Sequence, residues 1–180
     1  SNFSAEFFAQ VPERAYDTKG LKVLVPSNYN PVLRCYGANR GGSTISGGDP
    51  SVDGTTELWN GSFKSNKQWT DNPAWCFYDI LTNRRYGLGK YIDSSLVDKW
   101  TLFDIGKYCD QLVPDGFGGL EPRMACNLYI SSREDAYKVV NDMASIFRGI
   151  TYYAGGSIFT SQDSPKPQDT FYLFTNANVE

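Results

Sequence analysis

The side chains that could do chemistry in this chain are carboxylates and thiols: its 180 residues include 20 Asp and Glu, four Cys and no His. Without imidazole there is no Ser–His or Cys–His nucleophile pair and no His-ligated metal. Glycoside hydrolysis needs only two carboxyl groups flanking one bond, so near pairs of acids come next. Asp115 and Glu121 lie in a Gly-rich loop, and Asp104 and Asp110 lie in a helical pattern. Each has a plainer reading. Asp115 sits in a turn with Gly116, Asp104 caps a helix, and Glu121 precedes Pro122 where a strand begins. No catalytic residue is assigned, and the chain is read as not an enzyme.

The four cysteines, Cys35, Cys76, Cys109 and Cys126, lack the closely spaced pairs of a four-cysteine zinc site. Cys76 and Cys109 fall on predicted helix faces and Cys126 on the inward side of a predicted strand. All four are expected to be buried thiols, and their spacing does not indicate a disulfide framework. Asp49-Pro-Ser-Val-Asp-Gly54 spaces oxygen ligands as a calcium loop does, but the twelfth position is Asn60 in place of a bidentate Glu. Gly87-Leu-Gly89 lacks the third glycine of a dinucleotide fingerprint and follows a helix. No cofactor and no metal are expected.

The elements that would position these groups read as follows. Leu21, Val23 and Val25 alternate and stop at Pro26, one short strand. Residues 37–56 are dominated by Gly, Ser, Thr and Asp and read as a flexible surface loop, with a strand or hairpin arm at Glu57–Phe63 after it. Asp71 or Asn72 can cap a helix with Pro73 in its first turn. Ala74, Phe77, Tyr78 and Leu81 line its inner face, and Asn83 ends it. A second helix starts at Thr101, whose hydroxyl can cap the N–H groups near Asp104, with Leu102, Ile105, Cys109 and Leu112 inward and Pro114-Asp-Gly closing it. Met124, Cys126, Leu128 and Ile130 alternate as a strand. A third helix follows, with Ser131 or Ser132 capping, Glu134 and Asp135 completing capping boxes, and Ala136, Val139, Val140, Met143 and Phe147 inward. Gly149 suits a left-handed helix end, Gly155-Gly156 a two-residue hairpin, and Phe171-Tyr-Leu-Phe174 a last strand. Strands and helices do not alternate strictly, so the expected class is α+β. It consists of short antiparallel strands and hairpins packed with about three helices, including a strand–helix–hairpin unit.

Composition bounds the partners. Hydrophobic residues make up 41% and charged residues 21%, an ordinary globular balance. Net charge is −3, and no basic run exceeds Arg84-Arg85, so the basic stripe of a specific nucleic-acid binder is missing. No apolar run approaches the ~20 residues of a membrane span, so no membrane segment is expected. The aromatic share is 15%, from 12 Tyr, 11 Phe and 4 Trp, a residue set that fills cores, subunit interfaces and sugar platforms.

Several long blocks carry a resemblance. Trp69–Gly89, Asp93 through Asp98-Lys-Trp100, Tyr108-Cys-Asp-Gln111, Val113–Asn127 and Ser145-Ile-Phe-Arg-Gly149 resemble, in order, successive stretches of the tip attachment protein J family of lambda-like phage tails. The likeness runs from about Lys19 to Val179, with Gly37–Thr56 departing from it as an insertion. The resemblance implies an internal piece of a central tail-tip hub similar to a phage baseplate-hub domain. Residues 1–20 would be a lead-in segment and 21–180 the hub fragment, with 21–112 and 113–180 as candidate subdomains. It implies a structural virion protein, a homotrimer in the full-length chain, that meets other tail-tip and tail-tube proteins and the tape-measure protein. Such a protein supports tail assembly, host attachment and the genome-ejection path. It would reside in the virion tail tip, and in the host bacterial cytoplasm during assembly, for phage or prophage alike. A ring must bury subunit surface, which makes Trp59, Phe63, Trp69 and Phe117 interface candidates that should be exposed in the isolated chain. The alternative is a carbohydrate-binding module that meets the host surface with its aromatics.

Overall fold

A computed structural model of the chain describes residues 18–37, 59–130 and 135–165. Within them Asn72 sets the start of the first helix. Its side-chain oxygen accepts from Ala74 N at 3.0 Å, and Pro73 takes the first helical position, where an N–H would find no partner. This helix, α1, spans Pro73–Thr82. Ala74, Phe77, Tyr78 and Leu81 are buried as expected, and so is Trp75, whose Nε1 donates to Tyr36 Oη at 2.9 Å.

The second helix, α2, spans Lys99–Cys109 and starts before the expected Thr101. Asp98 caps it, accepting from Trp100 N at 3.0 Å and Thr101 N at 3.3 Å, and Thr101 Oγ1 donates to the same carboxylate at 2.6 Å. A carboxylate also answers the positive end of the helix dipole, which a hydroxyl does not. The helix ends early too. Gln111 O accepts from Arg123 N at 2.8 Å and Cys109 O from Met124 N at 3.1 Å, so pairing with the returning chain takes the groups that a further turn would use. Leu112 therefore lies in a strand, β5 (Leu112–Pro114), antiparallel to β6 (Leu120–Pro122), and not on the helix face.

The strand expected from Met124 is absent. Residues 124–130 pair with no strand among the described residues, although Cys126 is buried and donates its N–H to Asp71 O at 2.7 Å. Alternation reports burial of one face, whereas a ladder needs a neighbouring edge. Here the segment crosses the start of α1, and Leu128, Tyr129 and Ile130 emerge exposed.

The third helix, α3 (Ala136–Ile146), is capped by Asp135, which accepts from Tyr137 N at 2.7 Å. Ser131, Ser132 and Glu134 lie outside the described residues. Val140, Met143 and Phe147 are buried, Val139 is half-buried and Ala136 is exposed. The left-handed position at the helix end belongs to Arg148, φ 54°, and not to Gly149. Gly149 instead opens β7 (Gly149–Ala154), where a Cβ would run into the Phe147 ring. Its hairpin partner is β8 (Ser157–Gln162), with Tyr152 opposite Phe159. Gly155 and Gly156 take φ 57° and 86°, the pair of positive values that a two-residue turn of this kind requires.

Two short ladders complete the set: β1 (Lys22–Val23) with β4 (Gln68–Trp69), and β2 (Tyr29–Asn30) with β3 (Cys35–Tyr36). Val23 and Val25 are buried, but Leu21 is exposed, and Pro26 bridges Phe63 in place of a longer strand. The α+β class expected from the pattern holds, with three helices and antiparallel strand pairs among the described residues. Residues 38–58 and the stretch Phe171–Phe174 lie outside them, so the expected loop (all but Gly37), the calcium-like loop and the last strand do too.

The core sits where α1, α2 and α3 meet, around Trp75, Phe77, Leu81, Leu102 and Phe147. Gly106 lets α1 and α2 close in, since a Cβ there would lie 2.6 Å from Tyr36 Oη and 3.2 Å from Trp75 Nε1. Residues on both sides of 112/113 share this core, from Val23 to Phe147. No helix among the described residues is long and apolar enough to cross a membrane.

Candidate functional site

Trp59 is the centre of an aromatic cluster built from three parts of the chain. Its ring stacks on Phe103 of α2 at 5.1 Å and meets Trp75 of α1 edge-on at 5.9 Å. Phe63 and Trp100 approach its ring at 5.1 and 5.2 Å, and its Nε1 donates to Ser62 O. Lys99, the first residue of α2, lays its ammonium over three of these rings, 5.5 Å from Trp59, 6.0 Å from Phe63 and 5.5 Å from Trp100. The same ammonium donates to Gly61 O at 2.7 Å. Gly61, at φ 82°, admits this approach, because a Cβ would lie 3.0 Å from both Lys99 Nζ and the Trp100 ring.

Outward of this cluster lies an open groove of about 820 Å³. Phe63, Tyr78, Trp100 and Phe159 supply aromatic walls, and Ser94, Ser95 and Asp98 supply polar ones. The backbone fixes its two sides together: Asp98 N donates to Ile158 O at 3.0 Å, and Val97 bridges Ile158 in parallel. Through Phe159 the groove runs on to the outer face of the β7–β8 hairpin. Strand alternation puts Ile150, Tyr152 and Phe159 on that face and turns Thr151 and Thr160 inward. Tyr152 and Phe159 stack at 5.8 Å, and Ile150 and Tyr152 are exposed.

The four interface candidates fall in different places. Phe117 is 98% exposed at the tip of the β5–β6 turn, while Trp59 is only 6% exposed and is committed to the core. Phe63 and Trp69 are half-buried, Phe63 stacked on Tyr78 at 4.8 Å and Trp69 under Lys19 Nζ at 5.1 Å. Trp59 and Phe63 come together in one cluster. Sequence reasoning missed Trp100, 51% exposed, and the hairpin pair Tyr152 and Phe159. The outward parity of the hairpin was available, since the Gly155-Gly156 turn fixes the register once strands are assumed.

The carboxylates are held by structural partners. Asp110 is fully buried, receiving Arg34 Nη1 at 2.9 Å and Asn72 Nδ2 at 2.7 Å, while Arg34 Nη2 also pairs with Asp71. Burial holds the Asp110 carboxyl above its ordinary value, against the opposing pull of Tyr29, Arg34 and Asn72. Asp104 is not a cap, a place that Asp98 takes; it lies inside α2, faces solvent and pairs with Lys107 at 2.9 Å. Asp115 Oδ1 accepts from Phe117 N at 2.8 Å and Gly119 N at 2.9 Å, closing its own turn, and Glu121 is exposed on β6. Among the described residues no group of three or more Cys, Asp or Glu is placed to hold a metal ion. What this surface offers chemically is contact: aromatic rings, hydroxyls and a fixed cation.

No family model matches the chain. Across 178 residues, 98% of its length, it is 40% identical to the tip attachment protein J of Escherichia phage SECphi27. Across 177 residues, again 98%, it is 37% identical to the tip attachment protein J of Escherichia phage SECphi4. The chain spans 13% and 14% of the lengths of these two relatives. It is homologous to a segment of tip attachment protein J, as the block-by-block resemblance implied.

Proposed function

We propose that this chain is a structural segment of a phage tail tip, part of a trimeric hub that supports tail assembly, host attachment and the path of genome ejection. The observation that carries this reading is the end-to-end likeness, at 40% and 37% identity, to proteins whose name is tip attachment protein J. A segment with this role acts by contact and not by catalysis, and its partners are further copies of itself and other tail components, including tube and tape-measure proteins. The exposed aromatics favour it, because subunit interfaces are enriched in Tyr, Trp and Phe. Trp100, Tyr152 and Phe117 are the exposed aromatics we assign to subunit contact.

Two measurements test the reading separately. Antibodies raised against the chain should decorate the tail tip of virions that carry it, viewed by negative-stain electron microscopy; decoration of the capsid alone would reject the tail-tip assignment. Light scattering across a concentration series should find a species near three times the 20.1 kDa chain mass. A monomer at every concentration would remove the trimer contact from this segment.

One observation favours a second reading, a carbohydrate-binding module. The groove beside Trp100 combines aromatic rings with Ser94, Ser95 and Asp98, the combination that stacks on and hydrogen-bonds a sugar. Pull-down with host lipopolysaccharide or peptidoglycan, lost in Trp100→Ala, would support it over the hub.

A further inference from the structure

Asn60, Gly61 and Ser62 lie at the edge of the aromatic cluster, and neither the hub nor the sugar reading uses their chemistry. Asn60 and Ser62 are exposed on either side of Gly61. Two donors converge on the Asn60 side-chain oxygen, Ser62 N at 2.9 Å and Ser62 Oγ at 2.6 Å, while Asn60 Nδ2 makes no hydrogen bond among the described residues. The bond from Ser62 N curls the side chain back over the intervening peptide, which turns Asn60 Cγ toward Gly61 N. Ser62 is itself fixed, because its carbonyl accepts from Trp59 Nε1 and, at 2.9 Å, from Ser27 N. Gly61 has no side chain to block an approach, and this is the one Asn-Gly pair in the chain. Lys99 Nζ, 2.7 Å from Gly61 O, places a cation beside the Gly61 peptide and favours an anion there.

We propose that Asn60 is a self-modification site, deamidated by attack of Gly61 N on Asn60 Cγ with the two Ser62 donors holding the oxyanion. Hydroxide removes the Gly61 amide proton, and the nitrogen anion closes a five-membered ring onto Cγ. The negative charge then develops on Asn60 Oδ1, where Ser62 N and Oγ already point. As the oxyanion collapses the Cγ–Nδ2 bond breaks, and the nitrogen takes a proton from water and leaves as ammonia. Water opens the succinimide at either carbonyl to give aspartate or isoaspartate, so one water is consumed and one ammonia released. Either product puts a negative charge beside Gly61, whose carbonyl holds Lys99, a cation with no carboxylate partner among the described residues. Isoaspartate also adds one carbon to the main chain, which moves the Gly61 carbonyl relative to Lys99 and the rings it covers. The proposal is independent of the tail-tip and sugar readings.

The test incubates the folded chain at mildly alkaline pH beside a portion unfolded in guanidinium. Both are followed by peptide mass spectrometry and by isoaspartyl methyltransferase labelling. In the folded chain Asn60 should convert before any other asparagine, to aspartate and isoaspartate, and at least as fast as in the unfolded chain. Ser62→Ala, its fold checked by circular dichroism, should slow the folded conversion roughly fivefold, the contribution of one ordinary hydrogen bond, and leave the unfolded rate nearly unchanged. Asn60 left intact in the folded chain while the unfolded chain converts would overturn the proposal. So would a folded Ser62→Ala chain that converts at the wild-type rate.

Discussion

At the scale of single residues, Arg34 carries the most. It holds a left-handed backbone, φ 52°, and its guanidinium links Asp71 to the fully buried Asp110. Removing one partner of a buried pair leaves the other charge without compensation. Arg34→Ala should therefore lower stability by about 3–5 kcal/mol at neutral pH, read from urea unfolding. The pH dependence follows from the raised carboxyl. The folded chain keeps the Asp110 proton above the ordinary value of 3.8 that the unfolded chain follows. The stabilisation from Asp110 is thus fully present below 3.8 and is lost as pH rises through the higher folded value. In Arg34→Ala that loss is larger, since only the hydrogen bonds of Tyr29 and Asn72 still offset the charge. The gap between variant and wild type should shrink as pH falls toward 3.8, and a gap independent of pH would show that Asp110 is not its cause.

At the scale of elements, close approach decides more than propensity does. Gly149 follows a helix, where sequence reading gives glycine the left-handed position, yet Arg148 adopts that conformation. What Gly149 supplies is space for the Phe147 ring as the chain turns from α3 into β7. Gly149→Ala should cost about 1–3 kcal/mol through overpacking. The loss should appear as faster hydrogen exchange in β7 and β8, whose Gln162 side chain bonds Phe147 O at 2.9 Å. Full protection of the hairpin in this variant would mean that the ring has room to move aside.

At the scale of the whole molecule, buried and exposed aromatics separate folding from assembly. Trp59→Ala removes a ring packed on four others and should cost about 3–5 kcal/mol, abolishing any assembly by unfolding the chain. Phe117→Ser changes an exposed position and should alter stability by no more than about 0.5 kcal/mol, while Tyr152→Ser also loses the stack on Phe159 and should cost about 0.5–1.5 kcal/mol. If these surfaces form the trimer contact, the two variants should move the trimer–monomer midpoint to at least about tenfold higher concentration, which is about a hundredfold in the trimer dissociation constant and a loss of about 2.8 kcal/mol per trimer. Unchanged assembly in both would place the contact elsewhere, with the groove around Trp100 next.

The sequence by itself determined the helices, the Gly155-Gly156 hairpin and the α+β class. These rest on local signals: a capping Asn72 before Pro73, apolar spacing along α1, and two glycines able to take positive φ. It also carried the likeness to tip attachment protein J, because long strings of residues match in order. Only the tertiary structure decided the rest. Asp98 displaced Thr101 as the cap of α2, pairing with the returning chain ended that helix at Cys109, and the alternating run from Met124 found no strand edge. The same limit applies to the site. Trp59 and Phe117 look alike as aromatics beside glycines, yet one is 6% exposed and the other 98%. Composition fixes how much apolar surface a chain has. Which rings are covered depends on where distant segments meet, here 59–63 against α1 and α2, and no local pattern encodes that meeting.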